Sequence, residues 1–134
     1  MTARTILRYF LIVAFLAAGA LHLLVPTPFL GITPAWVPFA PVVIALSGVA
    51  ELTGAVGLMI PRFRHAAGIG LALYAVCVFP ANIQHAITDL ALTHPQLGWA
   101  YHGPRLLFQP VIVWWALWVG ELIDWPFRKA DQAA

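Results

Sequence analysis

Seven side chains able to donate, accept or move protons fall in or beside stretches otherwise apolar enough for lipid: His22, Ser47, Glu51, Asn82, His85, Arg105 and Gln109. Glu51 is the most expensive of them. It lies about twelve residues into an apolar segment, or roughly 18 Å at 1.5 Å per residue, where insertion scales charge about 2.5–3.5 kcal/mol for an ionised side chain. Ser47 and Gly54 each lie about one turn from it on the same face. Asn82 and His85, three apart, share a second face, and Arg105 and Gln109, four apart, a third. Pro80 removes a backbone donor and frees the carbonyl of Val76, which a membrane helix tolerates only toward protein or water. Such a set can hydrogen-bond a small polar headgroup or pass a proton between Glu51 and His85. For a metal, His22, His85 and Glu51 come nearest, but no H-x-x-x-H or E-x-x-H spacing occurs. A haem needs two histidines at matched depth, which only His22 and His85 approach. We therefore expect neither metal nor haem.

The composition names the solvent. With 62% hydrophobic and 9% charged residues and a mean hydropathy of +0.88, the chain is a membrane protein rather than a soluble core with a wetted surface. Its partners are then the lipid bilayer and other membrane subunits. The net charge of +2 comes from few residues and forms no basic stripe able to track a phosphate backbone, so nucleic acid is excluded as a partner. Cys77 is the only cysteine, so a disulfide within the chain and a C-x-x-C redox pair are both excluded. No nucleophile elbow, phosphate loop or paired-carboxylate site occurs, and the chain is not expected to be an enzyme on its own.

The elements that must position the polar residues are four apolar segments in one domain spanning 1–134. The first runs roughly 5–25 and stops at Pro26 and Pro28, because each proline opposes helix in the residue before it. Arg4 and Arg8, then Tyr9 to Ala17, then Ala18-Gly-Ala20 imitate a signal peptide, but the apolar run continues to Val25 and suits a retained spanning helix. A Pro-pinned loop to Pro38 follows, with Trp36 expected at the headgroup level. The second segment runs roughly 39–60, the third 65–88 and the fourth 105–123. Between the last two, Leu92–Gly103 is expected as a loop, with His65, His94 and His102 solvated. Each segment approaches the ~20 residues needed to cross a bilayer. The expected fold is all-α, an integral membrane up-down four-helix bundle. Gly19, Gly48, Gly54, Gly57, Gly68, Gly70 and Gly120 are expected to let its backbones approach, and Trp114, Trp115 and Trp118 to face lipid or pack.

Charge sets the orientation. Arg4, Arg8, Arg62, Arg64, Arg128 and Lys129 fall on one side and Arg105 on the other, which puts both termini in the cytoplasm of an inner-membrane protein. His22, Asn82, His85, Arg105 and Gln109 then lie in the outer half. Ser47 leads down to Glu51, giving a polar pocket open outward and floored by that carboxyl.

Four patches carry a family resemblance: Ala18-Gly-Ala-Leu-His22 running to Pro26; Ile32-Thr-Pro-Ala-Trp-Val-Pro38; Ser47-Gly-Val-Ala-Glu-Leu-Thr-Gly54 with Gly57 through Pro61-Arg62; and Val78-Phe-Pro-Ala-Asn82 with Arg105 and Gln109-Pro110. In order and spacing they resemble the DoxX family of small four-helix membrane proteins, in its DoxX-like branch. The resemblance implies an accessory place in a membrane redox system with a quinone headgroup as ligand, since the family contains subunits linked to thiosulfate:quinone oxidoreduction. A related branch serves as a chaperone for receptor assembly. Similar redox bundles carry cysteine pairs, from which Cys77 alone departs. The expected function is a polar intramembrane pocket for a small molecule or quinone. Two other readings stand beside it: a scaffold or assembly factor acting through its lipid-facing surface, and a proton-coupled carrier using Glu51 and His85.

Overall fold

The computed structural model describes residues 1–126, and every regular element among them is helical. The α-helices are α1 (Ala3–Leu24), α2 (Thr27–Ile32), α3 (Ala40–Met59), α4 (Arg64–Leu90) and α5 (Gly98–Val119), with a 3₁₀ turn at Pro61–Phe63. Arg128 and Lys129, counted in the charge bias, lie outside the described residues.

Local chemistry sets most of these boundaries. Thr2 caps α1, its hydroxyl accepting from the Thr5 N–H at 3.3 Å, and Val25, before Pro26, ends it. Pro28 and Pro41 sit in the first turns of α2 and α3, where a missing N–H costs nothing. The stretch after Pro26, expected as loop, contains the short helix α2. The second expected loop is also shorter, because α5 begins at Gly98. Pro80, Pro104 and Pro110 lie inside helices.

Successive long helices pack antiparallel. Gly19 of α1 meets Gly48 of α3, and Gly57 of α3 meets Ala67 of α4. Gly68 of α4 meets Gly120 just past α5, while farther along α4 Asn82 meets Gln109 of α5. A Cβ on Gly48 would lie 2.9 Å from the Gly19 carbonyl oxygen, and one on Gly68 2.9 Å from the Gly120 Cα, so only hydrogen fits at either crossing. Gly70, expected among these crossings, faces open space instead.

The packed core occupies one half of the molecule. Leu11, Ile12 and Phe15 of α1, Ala55 and Leu58 of α3, Leu71 and Ala72 of α4, and Ala116, Trp118 and Val119 near the end of α5 form one cluster. The outward faces stay apolar: Phe10, Val13, Leu46, Leu73, Val76 and Leu107 are exposed. A surface so apolar marks contact with something other than water. Three helical spans, α1, α3 and α4 with its preceding turn, are long and apolar enough to cross a membrane. α5 is not among them; it has the length, but its first twelve residues include His102, Arg105 and Gln109.

Candidate functional site

Beyond the packed half the helices enclose a cavity of about 480 Å³, with walls from α1, α3, α4 and α5 and a further side from α2 and the linker after it. That size suits a small molecule. Its lining is mostly apolar and aromatic, including Phe15, Phe29, Trp36, Phe108 and Trp115, with polar groups from His22, Ser47, Glu51, Tyr74, Asn82, Arg105 and Gln109. Six of the seven expected site residues therefore meet on one cavity. The seventh, His85, does not line it.

Glu51 is 4% exposed and joins three helices. The Tyr74 hydroxyl of α4 donates to its Oε1 at 2.8 Å, and His22 Nδ1 of α1 lies 2.7 Å from its Oε2. That same Nδ1 is 2.9 Å from the Ala18 carbonyl. A carbonyl only accepts, so this bond needs a hydrogen on Nδ1. One hydrogen serves one acceptor well, and Oε2 is left close to the ring nitrogen without an aligned donor. The His22–Glu51 approach is thus an electrostatic contact, and the Ala18 bond is the aligned one. Phe29 of α2 stacks on the His22 ring at 3.9 Å between centroids, so the short helix missed in the sequence holds a site side chain in place.

On the α4–α5 wall, Asn82 Nδ2 donates to Gln109 Oε1 at 3.0 Å, and Gln109 Nε2 donates to the Ala75 carbonyl. The α4 carbonyl engaged is that of Ala75, one residue before the Val76 carbonyl that Pro80 frees. Both amides are buried, and the chain from Asn82 through Gln109 to the Ala75 carbonyl gives each a partner, as burial in an apolar setting requires.

His85 turns away from this cavity to a second cluster. Arg105 Nη1 donates to His85 Nδ1 at 3.0 Å; a guanidinium has no acceptor, so Nδ1 is the bare nitrogen of that ring. The His85 ring meets His102 edge-on at 4.9 Å, and His102 Nε2 donates to Asp89 at 3.1 Å. His102, expected in solvent, is fully buried. Asp89 also accepts from the backbone N–H groups of Gln96, Leu97 and Gly98 at 3.0, 3.2 and 2.9 Å. These are orphan donors at the start of α5, so Asp89 is a cap supplied from another helix. It explains why α5 begins at Gly98. His85 thus orients Arg105, which does line the cavity, and Glu51 and His22 stand apart from it. Glu51 and His85 therefore do not face the same cavity.

Sequence reading missed Tyr74, Phe29, Asp89 and the cavity role of Trp115 and Trp36. Two signals were available: a tyrosine within the apolar run of α4, and an aspartate nine residues before Gly98 near a helix start that lacks its own cap. Of the three late tryptophans, Trp118 is core, Trp114 stacks on it at 5.6 Å, and Trp115 faces the cavity.

The family described as Domain of unknown function (DUF8561) matches residues 11–120. The chain belongs to that family. The DUF8561 match contains every residue of the cavity lining, from Leu11 to Trp115. No curated protein and no solved structure matches the chain.

Proposed function

We propose that this DUF8561 protein is an integral inner-membrane protein, an up-down bundle of four spanning helices with both termini cytoplasmic, whose cavity binds a small amphipathic molecule of quinone type. The carrying observation is the composition of that cavity: an apolar, aromatic body with the Glu51–Tyr74–His22 group and the Asn82–Gln109 pair set into its walls. A flat, aromatic headgroup with two carbonyl oxygens matches such walls, because it stacks on rings while accepting from the remaining amide hydrogens of Asn82 and Gln109 or from the Arg105 guanidinium. Glu51 supplies an acceptor for the hydroxyl of the reduced form. The order of DoxX-like motifs supports placing the protein beside a membrane redox system as an accessory subunit. Cys77 lines the same cavity without a second thiol, so the protein's part is binding and proton exchange rather than dithiol chemistry.

Trp36 and Trp115 line the cavity, and quinones quench indole fluorescence. Titrating the detergent-solubilised protein with short-chain ubiquinone and menaquinone analogues is expected to give saturable quenching, weakened about fivefold or more in Asn82→Ala by loss of a hydrogen bond. Linear, unsaturable quenching by both quinones overturns the proposal and leaves the scaffold reading.

A further inference from the structure

At the end of the molecule remote from the first cavity, the start of α1, the end of α3, the start of α4 and the turn after α5 enclose a second cavity of about 360 Å³. Arg4, Arg8, Arg64, Thr5, Tyr9 and Glu121 are among its lining residues. Arg8 Nη2 and Arg64 Nη1 reach the same carboxylate oxygen, Glu121 Oε1, at 2.6 and 3.0 Å. Two guanidinium charges therefore share one carboxylate. Arg8 Nε is spent on the Val119 carbonyl at 2.9 Å and Arg64 Nε on the Leu58 carbonyl at 3.3 Å. A guanidinium has five N–H donors, so each arginine keeps donors without an acceptor among the described residues. Arg4 pairs with Asp124, which is largely exposed.

We infer that this second cavity binds the phosphate of an anionic phospholipid. The excess positive charge asks for an anion, and forked guanidinium donors fit the several oxygens of a phosphate. The lipid source follows from position. Tyr9 and Met59 line the cavity and are more than half exposed, and Ile6 and Phe63 extend the apolar surface beside it. Acyl chains can lie along that surface while the headgroup meets arginines at the helix ends, the arrangement of basic headgroup pockets between membrane helices. Arg62 stacks over Phe63 at 4.9 Å and does not line the cavity.

The test is native mass spectrometry of the full chain from neutral-detergent micelles holding equal phosphatidylglycerol and phosphatidylcholine. Phosphatidylglycerol adducts are expected to exceed phosphatidylcholine adducts by about fivefold. Arg64→Gln should abolish that preference and Arg62→Gln retain most of it. Because Arg64 also ties α4 to α5, Glu121→Gln gives an independent reading: removing the competing carboxylate charge should raise the preference, which a purely structural pairing would not do. Equal adducts of the two lipids, or an unchanged preference in both Arg64→Gln and Glu121→Gln, overturn the inference. So does stabilisation by millimolar inorganic phosphate without any lipid preference.

Discussion

Glu51 holds its place through one well-aligned bond from Tyr74 and one close nitrogen on His22, and the two kinds of substitution there separate function from folding. Glu51→Gln keeps the shape and an acceptor for Tyr74, so the melting temperature should stay near the parent while quinone quenching weakens. Glu51→Leu removes the acceptor of the Tyr74 hydroxyl and should cost about 1–3 kcal/mol of stability; a Gln variant equal to the parent in both measurements removes Glu51 from the site. Asp89 has the opposite character. Asp89→Ala strips a cap from three N–H groups and a partner from His102, and should cost about 1–3 kcal/mol, with the start of α5 losing amide protection in hydrogen exchange. Glu121, just outside α5, supplies the pH dependence. Partial burial pushes its carboxyl up, but the charges of Arg8 and Arg64 and their hydrogen bonds outweigh this and hold it below the ordinary glutamate range. The stabilisation is thus present above the unfolded value of about 4.3 and lost as pH falls through the lower folded value. Melting temperature should drop on acidification below about pH 4, and Glu121→Gln should flatten that slope.

The helices meet through small residues, and that gives a paired prediction at this scale. Gly48→Ala puts a methyl against a backbone oxygen of α1, which cannot yield as a flexible side chain would. Overpacking of this kind costs about 1–3 kcal/mol. Gly70→Ala meets nothing within 4 Å and removes a poor helix former, worth up to about 1 kcal/mol. Thermal melts of the two variants should therefore move in opposite directions, and equal losses would contradict the crossing described. α2 belongs to the same scale: six residues long, it survives by docking Phe29 on His22 rather than by its own propensity, since isolated helices this short do not persist.

The whole molecule is asymmetric end to end. One half is packed and capped by Arg4, Arg8 and Arg64 around the close of α5; the other is hollow and, among the described residues, Arg105 is the arginine that lines it. Cations at a helix C-terminus meet its carbonyl end favourably, so the arrangement serves folding. Reporter fusions after Lys129 are expected to report cytoplasm, and fusions within Leu92–Leu97 the periplasm. A periplasmic report after Lys129 would refute this topology.

The helical class, the helix ends at Pro26 and Pro61, and six of the cavity's polar residues were legible in the chain, because hydropathy and proline geometry act locally. Partner choice was not. Asn82 and His85 were read as one face from their spacing, yet three residues turn a helix by roughly 300°, leaving side chains about 60° apart. On α4 that gap is enough to put Asn82 against Gln109 in the cavity and His85 against Arg105 and His102 outside it. Asp89 falls just past the third expected segment and His102 in an expected loop, since nothing local says that a carboxylate will cap a helix begun nine residues later. The chain by itself determined which side chains must be sheltered from lipid. Only the tertiary rotation of each helix, set where Gly19 meets Gly48 and Gly68 meets Gly120, decided which of them share a cavity.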